Sequence, residues 1–376
     1  MRGWWIGCVA GWMAAGAAMG AGLSADLEAE ARAAMAKGAA WVVAQQQADG
    51  HWAVADSPAL TGLSMWALQQ ADPAAHRAAI DRALVFLLTS VREDGSIWRE
   101  PSVERKGGGL ANYNTAICMT ALHALNRPEL VPVVQNARAY LSRMQYLGPG
   151  SYRGGMGYDA DQGRPYTDLS NSYMAYEAMR LTQDVEDLRA DGAAQADLDW
   201  AAAQEFLAQV QNLPGVNTNS YLSENEEDLG GFAYTPGAGP STTNAEGKVM
   251  LRSYGSMTYA GLLALVYAQV DAQDDRVRSA KDWAARHWSL EENPGMGQEG
   301  LYYFFNVLTK SLKATGEDML ARPDGSAFAW REEVVRKLLA LQKPDGFWVN
   351  ENNRWWEADP NLVTVYTLLA LATALE

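Results

Sequence analysis

Three acidic residues stand at positions where their carboxyl groups could do acid–base chemistry. Asp168, Glu299 and Glu357 each lie near the end of a glycine-rich or polar stretch, close to the start of a strongly apolar segment. A positioned carboxyl group can act as a general acid or base when its surroundings adjust its pKa. Two of them about 5–10 Å apart can also cleave a glycosidic bond. We therefore take these three residues as the candidate catalytic groups.

Aromatic and polar side chains occupy comparable positions along the chain. The candidate ligand-binding residues are Asn114, Tyr166, Asn171, Arg252, Tyr254, Tyr303, Trp355 and Trp356. The chain has 14 Trp and 16 Tyr, and large aromatic side chains are common walls of apolar pockets. This composition predicts a small, largely apolar ligand.

Arg252 opens an apolar segment, where an unpaired guanidinium would be costly to bury. Two interpretations fit it. It could hold an anionic group of the ligand, such as a diphosphate or carboxylate. Alternatively, it could pair with Asp168 or another acidic residue of the chain.

The charge balance excludes some partners. The formal net charge is −15, and the chain has no run of basic residues, which disfavours binding to nucleic acid and to anionic membrane surfaces.

None of the four His residues stands at ligand spacing from a Cys or carboxylate, so we expect no metal site. No phosphate-binding glycine loop is present, and no cofactor is expected. The sequence does not specify a protein partner.

Residues 1–25 have the pattern of a secretory signal peptide. Arg2 is followed by an apolar, small-residue run over 6–20, and Ala18-Met19-Gly20 resembles a cleavage site. We therefore expect export to the periplasm or the medium, with an uncleaved N-terminal anchor as the alternative. Cleavage would leave Cys118 as the only cysteine, so that no disulfide could form within the chain.

A repeated pattern organises residues 26–376. LQKPDGFW (341–348) is echoed by AQQQADGHW (44–52) and TSVREDGSIW (89–98), with three looser copies between them. Each copy joins a helix with a charged face to a helix that is apolar on nearly all sides. Six buried helices inside six amphipathic ones predict an all-α fold, an (α/α)6 toroid in one domain.

Hydrophobic periodicity gives the expected bounds of these helices. The helices with a charged face, which come first in each repeat, are predicted at 26–47, 74–91, 131–145, 197–211, 274–289 and 329–342. The apolar helices that follow them are predicted at 59–70, 114–125, 168–181, 253–268, 302–314 and 363–375. No segment of useful length has the two-residue period of a strand. All inner helices would start at one end of the toroid, where six positive dipole ends favour an anionic or electron-rich guest.

The repeat resembles the QW repeat of squalene and oxidosqualene cyclases, which protein prenyltransferase β subunits share in weaker form. Its clearest copies are Gln47/Gly50/Trp52 and Gln342/Gly346/Phe347/Trp348. In that superfamily the glutamine amide bonds backbone groups at a helix end while the aromatic ring packs over the loop. The resemblance implies a single-barrel member that holds an isoprenoid or triterpene lipid in a central basin.

The chain departs from both family chemistries. The acidic Asp-x-Asp-Asp motif corresponds to 168–171, where only Asp168 remains and Ser170 and Asn171 replace the later acids. Asp168 could be catalytic or could simply cap its helix. Arg252 and Tyr254 stand at the zinc-binding Asp and Cys positions of the prenyltransferases, and Val363 stands at the His position. The resemblance therefore argues against zinc-dependent prenyl transfer.

Three functions remain open at this point. The first is an exported terpenoid cyclase-like protein that binds or converts an isoprenoid, with isomerase or cyclase chemistry if it is an enzyme. The second is a toroidal binding module without chemistry. The third is a carbohydrate-active α/α-barrel enzyme, which Trp355-Trp356-Glu357 keeps in consideration.

Overall fold

A computed structural model describes residues 22–102, 109–159, 165–322 and 325–376. The outer helices are α1 (Ala25–Ala44), α3 (Arg77–Leu88), α5 (Val131–Met144), α7 (Trp200–Val210), α9 (Asp275–Arg286) and α11 (Trp330–Leu341). The inner helices are α2 (Pro58–Ala71), α4 (Ala111–Ala124), α6 (Leu169–Leu181), α8 (Gly255–Tyr267), α10 (Leu301–Thr315) and α12 (Pro360–Leu375). All twelve predicted helices are present, with ends within a few residues of the predicted bounds.

The inner helices form a closed ring. Each packs against the next in chain order, from α2 to α12, and α12 packs back against α2. The outer helices cover this ring, and α1 contacts both α12 and α2 at the point of closure. The predicted all-α (α/α)6 toroid is confirmed. We number its hairpins 1 to 6, each consisting of an outer helix and the inner helix that follows it.

Burial separates the two helix types as the periodicity indicates. The inner helix α12 buries nearly every residue between Asn361 and Ala374. The outer helix α9 buries only Val277, Ala280, Trp283 and Ala284, which form one stripe. A helix that is apolar on all sides must lie inside, whereas one with a single stripe lies at the surface. This difference alone fixes which ring each helix joins.

Two short antiparallel hairpins interrupt the helical array in the described residues. β1 (Ser241–Thr243) pairs with β2 (Val249–Leu251), and β3 (Met319–Ala321) pairs with β4 (Ala327–Ala329). The sequence did not predict them, because three-residue strands give too few residues for an alternating pattern to be recognised. The first lies in the long connection before α8.

A glycine in five of the hairpin loops allows close contact with the next hairpin. Gly50, Gly95, Gly154, Gly230 and Gly346 all have φ between +91° and +101°. A Cβ atom at any of them would collide with the backbone of the following outer helix, which is α1 for the last. Only glycine combines this backbone conformation with so close an approach. The loops therefore lock neighbouring hairpins together.

A glutamine amide adds a second link between neighbouring hairpins. Gln46 donates to the Gly50 carbonyl and to the Ala79 carbonyl of α3, both at 2.9 Å. Gln342 makes the equivalent bonds to Gly346 at 2.8 Å and to Ala34 of α1 at 2.9 Å. Gln145 and Gln211 bridge in the same way. The assignment of this role to Gln47 was wrong by one residue, since the side-chain amide of Gln47 donates only to the nearby Gln45 carbonyl.

The N-terminal part of the proposed signal segment, residues 1–21, lies outside the described residues. Among the helices that the structure describes, none combines the length and the apolar character that crossing a membrane would require. Cys118 is buried on α4, and burial raises the pKa of its thiol far above the usual range. A buried, protonated thiol is a poor nucleophile, so Cys118 is a core residue.

Candidate functional site

A cavity of about 220 Å³ opens on the toroid axis at the end where the inner helices begin. Its walls come from all six inner helices or the loops that precede them. The lining residues are Ser57, Leu60, Leu110, Tyr113, Tyr158, Ser170, Met174, Tyr234, Tyr254, Ser256, Met257, Tyr303, Trp355, Trp356, Glu357, Leu362 and Tyr366. Of these described residues, Glu357 is the only carboxylate, and no Lys, Arg or His is among them.

Six tyrosines dominate the lining. Burial raises the pKa of each phenol, so all six stay neutral and present aromatic faces and hydroxyl dipoles. The Tyr303 hydroxyl lies 3.0 Å from Ser170 Oγ, and the Tyr158 and Tyr234 hydroxyls lie 3.2 Å apart. Tyr303 also meets Tyr366 edge to face at 6.0 Å. The wall is therefore aromatic and held in place by its own contacts.

Trp355 and Trp356 stand at the mouth of the cavity. Their exposed fractions are 47% and 45%, and their φ angles are +54° and +67°. Two adjacent non-glycine residues in the left-handed region are strained. The ring of Trp355 lies against Gly300, where any side chain would crowd it. Strained backbone of this kind clusters at active sites and ligand-binding sites, and both residues line the cavity.

Asp168 is fully buried and caps α6. Its Oδ1 accepts from the Asn171 backbone N–H at 2.9 Å, and its Oδ2 accepts from the Asn171 side-chain amide at 2.8 Å. Burial raises the pKa of Asp168 to about 6, although hydrogen bonds from Asn171 and Tyr234 oppose the shift. Asp168 does not line the cavity, whereas Tyr158 and Tyr234 do. The structure gives Asp168 the capping geometry that the sequence left as one of two alternatives.

Glu357 is the carboxylate that reaches the cavity. It is 1% exposed, and its Oε1 accepts from the Tyr303 N–H at 2.7 Å. Its Oε2 accepts from the Asn350 side-chain amide at 2.7 Å and from the Tyr302 N–H at 3.3 Å. Burial raises the pKa of Glu357, and these hydrogen bonds oppose the shift. Glu357, which belongs to hairpin 6, therefore caps the N-terminus of α10 in hairpin 5.

Every inner helix has a side-chain acceptor at its first turn. The acceptors are Asn114 for α2 (2.8 Å), Asp159 for α4 (2.6 Å), Asp168 for α6 (2.9 Å), Asn293 for α8 (2.8 Å), Glu357 for α10 (2.7 Å) and Asp359 for α12 (2.8 Å). Four of them are carboxylates, which also offset the positive helix ends. These caps offset part of the positive charge with which the helix ends were expected to favour an anionic or electron-rich guest. At least one first-turn N–H group of each inner helix is bonded by these acceptors, and the cavity beside them is mainly aromatic and apolar.

Several predicted site residues have other positions. Asn114 is buried and structural, since it bonds the start of α2 and also donates to the Gly109 and Leu110 carbonyls. Asn171 and Tyr166 surround Asp168 but do not line the cavity. The residues that the cavity does bring together are Tyr254, Tyr303, Trp355, Trp356 and Glu357.

Arg252 and Glu299 also lie outside the cavity lining. Arg252 is half-buried beside Gly295, and its guanidinium has neither a carboxylate partner nor a side-chain hydrogen bond within the described residues. The alternative in which Arg252 pairs with Asp168 or another acidic residue is therefore not seen in the described part of the chain. The Glu299 side chain is 40% exposed and lies 4.0 Å from Arg354. Its position does not support the predicted catalytic role.

Residues one turn further into the inner helices were missed from the sequence. Met174, Met257 and Leu362 line the cavity with Tyr366, which lies four residues after Leu362 on the same face of α12. In the sequence these apolar residues resemble ordinary core residues. Met257 and Tyr366 lie four and three residues after the predicted starts of their helices at 253 and 363, Met174 lies six after the start at 168, and Leu362 directly precedes the start at 363.

No protein-family description matches the sequence, and no curated protein does either. Solved structures share its fold. The type II terpene cyclase MstE from Scytonema, in complex with merosterolic acid A (product), has a TM-score of 0.53 at 14% identity, covering 94% of this chain and 99% of that one. The same enzyme in complex with geranylgeranyl dihydroxybenzoate (substrate) has a TM-score of 0.52 at 14% identity, covering 93% and 99%.

A second group of enzymes is equally similar. The alpha-1,6-mannanase GH76A of Salegentibacter sp. HEL1_6, an inactive variant in complex with alpha-1,6-mannotriose, has a TM-score of 0.54 at 12% identity, covering 92% of this chain and 100% of that one. At these identities the likeness concerns the fold alone. The chain therefore shares one α/α-toroid architecture with terpene cyclases and GH76 mannanases.

Proposed function

We propose that this protein binds an isoprenoid or a similar unsaturated hydrocarbon chain in the central cavity. The observation that carries the proposal is the lining: six Tyr, two Trp and five Leu or Met residues, with Glu357 as the only ionisable group other than the neutral phenols among the described residues. Such a surface favours an apolar ligand, and its aromatic faces interact well with double bonds and with positive charge. The terpene cyclase MstE, which shares the fold, binds a geranylgeranyl substrate.

The cavity supports binding better than it supports proton-initiated cyclisation. An acid that protonates an alkene must carry its proton toward the ligand. Glu357 directs its oxygens at the start of α10 and at Asn350, whose N–H groups favour the ionised form. Asp168 has a pKa raised to about 6 but does not reach the lining. We therefore propose a binding protein.

Intrinsic fluorescence tests the proposal directly. Titration with geranylgeraniol should quench Trp355 and Trp356 at the mouth, with saturation at one ligand per chain. Met257→Trp, which fills the cavity, should weaken binding at least tenfold. Val249→Trp is the control, because Val249 is 54% exposed on β2, outside the lining. Circular dichroism checks that both variants fold. Equal affinity of Met257→Trp and the control would overturn the proposed site.

A carbohydrate ligand is the second candidate. It is favoured by the fold likeness to GH76 mannanases and by the exposed rings of Trp355 and Trp356, which could stack on a sugar. Retaining and inverting glycosidases need two carboxyl groups at the bond that breaks. Within the described lining only Glu357 is available. Saturable binding of alpha-1,6-mannotriose, without binding of geranylgeraniol, would favour this candidate over ours.

We also propose export through the N-terminal segment. The charged start, the apolar run and the small residues near Ala18 support a cleaved signal peptide. Mass spectrometry of the protein from the periplasm or culture medium should show a chain shortened by about 20–25 residues. A full-length chain retained in the membrane fraction would support the anchor alternative instead.

A further inference from the structure

Inner helix α10 carries polar side chains along the face that lines the axial cavities. Tyr303, Asn306, Lys310 and Lys313 follow one another at spacings of three or four residues, so they share one side of the helix. Tyr303 belongs to the main cavity, and the other three lie progressively farther from the mouth. Two lysines and an asparagine on a buried helix are costly unless their polar groups are used.

Two smaller cavities continue from the main one toward the far end of the barrel. The first, of about 20 Å³, shares Met174 and Tyr366 with the main cavity. The second, of about 40 Å³, shares Trp66, Glu177 and Lys310 with the first. The shared residues show that the three spaces are consecutive. The side chains of Met174 and Tyr366 form the boundary that a ligand would pass to reach the small cavities.

A buried ion pair forms the wall between the two smaller cavities. Lys310 Nζ lies 3.0 Å from Glu177 Oε2, with side-chain exposures of 11% and 7%. The Tyr267 hydroxyl donates to Glu177 Oε1 at 3.1 Å, and the Trp66 ring centroid lies 4.6 Å from Lys310 Nζ. The positive charge of Lys310 is therefore already balanced. This region can offer hydrogen bonds, but it has no net charge with which to hold an anion.

Asn306 faces the first small cavity with unused hydrogen-bonding capacity. Its side chain is 2% exposed, and its Oδ1 has no hydrogen-bond partner in the part of the chain that the structure describes. A buried carbonyl oxygen without a partner is destabilising, because it has lost its hydrogen bonds to water and gained none in the protein. Native proteins rarely keep such a group without a role. The geometry therefore points to a missing partner that donates a hydrogen bond.

We propose that Asn306 and the Lys310–Glu177 pair form a subsite for a neutral hydroxyl group at the end of the ligand. This inference rests on the proposed function, since the hydrocarbon part of the same ligand would fill the aromatic cavity. The hydroxyl would pass Met174 and Tyr366 and donate to Asn306 Oδ1. Because Glu177 neutralises Lys310, the subsite selects an alcohol over a diphosphate or carboxylate. The competing occupant is a single water molecule, for which a cavity of this size is sufficient.

The test compares two ligands that differ only in the terminal hydroxyl, geranylgeraniol and the corresponding hydrocarbon. The wild-type protein should bind the alcohol about 10-fold more tightly, equivalent to about 1.4 kcal/mol. Asn306→Leu, which has a similar shape, should reduce this preference to less than about twofold while the affinity for the hydrocarbon stays the same. Asn306→Ala serves the same purpose without any risk of a steric clash. Thermal unfolding confirms that each variant is folded.

Tyr259→Phe is the matched control. The Tyr259 hydroxyl is also buried without a partner among the described residues, but Tyr259 lines none of the three cavities. The control should keep the full preference for the alcohol. Equal binding of both ligands to the wild-type protein would show that only water occupies the subsite and would overturn the inference. A preference that survives in the Asn306 variants would overturn it as well. If neither lipid binds, the proposed function itself fails.

Discussion

The first-turn N–H groups of α6 and α10 are bonded by carboxylates that come from different parts of the chain. Each has a buried carboxylate that accepts first-turn N–H groups. At α6 the acceptor is Asp168, the residue immediately before the helix. At α10 it is Glu357, which lies more than 50 residues later in the loop of the next hairpin. Only the second carboxylate also faces the cavity. A cap supplied by a neighbouring hairpin thus serves both the assembly of the ring and the lining of the site.

The same contrast extends around the toroid. Asp359 caps its own helix, as Asp168 does, whereas Asn114, Asp159 and Asn293 each cap the inner helix of the preceding hairpin. Four of the six inner helices therefore depend on the hairpin that follows them. Local caps stabilise one helix, but caps between hairpins also fix the spacing of the ring. Substitutions at the two kinds of position should differ in size and in pH dependence.

The largest expected effect is at Glu357. Glu357→Ala should lower the free energy of unfolding by about 4 kcal/mol, because it leaves the start of α10 and one N–H of the Asn350 amide without an acceptor in a buried site. Glu357→Gln keeps one accepting oxygen and should cost about 1 kcal/mol. Urea unfolding at pH 7 measures both. A loss below 1 kcal/mol for the alanine variant would show that the cap between hairpins contributes little to stability.

The local cap at α6 should make stability depend on pH. The folded-state pKa of Asp168 is about 6, raised from its usual value of 3.8, so the folded protein binds this proton more tightly than the unfolded chain does. The resulting stabilisation is fully present below pH 4 and is lost as the pH rises through 6. The difference in unfolding free energy between wild type and Asp168→Asn should change by about 2–3 kcal/mol between pH 4 and pH 7. A difference in unfolding free energy that stays constant between pH 4 and pH 7 would contradict the raised pKa of Asp168.

Substitutions at the adjacent residues Gln46 and Gln47 compare a side chain that links two hairpins with one that makes only a local contact. Gln46→Ala removes bonds to both Gly50 and Ala79 and should cost about 1–2 kcal/mol. Gln47→Ala removes only a bond to the Gln45 carbonyl and should stay within about 0.5 kcal/mol of wild type. Thermal or urea unfolding of the pair measures the difference. The reverse order would indicate that Gln47 provides the link, as the sequence alone suggested.

The smallest effect concerns the strained mouth. Trp355 has φ +54°, and its ring lies against Gly300 of the preceding hairpin. Trp355→Gly should be more stable than Trp355→Ala by about 1 kcal/mol, because glycine adopts this conformation without steric cost. Both variants should weaken ligand binding to a similar degree, since both lose the ring. Identical melting temperatures for the two would show that the backbone relaxes when the tryptophan is removed.

The sequence predicted the parts of this protein that depend on local pattern. Apolar periodicity distinguished α9 from α12, and repeated loop glycines such as Gly50 and Gly346 gave the number of hairpins. Asp168 was recognised as a possible cap because it directly precedes its helix. Of the predicted site residues, Tyr254, Tyr303, Trp355, Trp356 and Glu357 line the cavity.

Contacts between residues that are distant along the chain could not be predicted from the sequence. Nothing near Glu357 indicates that it caps α10, and Asn114 looks as much like a ligand-binding residue as a structural one. The contact of Lys310 on α10 with Glu177 on α6 depends on which inner helices face each other across the axis. The hydrophobic period and the helix propensity of its own residues determine each helix. The closure of the ring determines which polar side chains come into contact. Local sequence pattern therefore determines the helices of this protein, whereas contacts between residues distant along the chain determine the lining of its cavity.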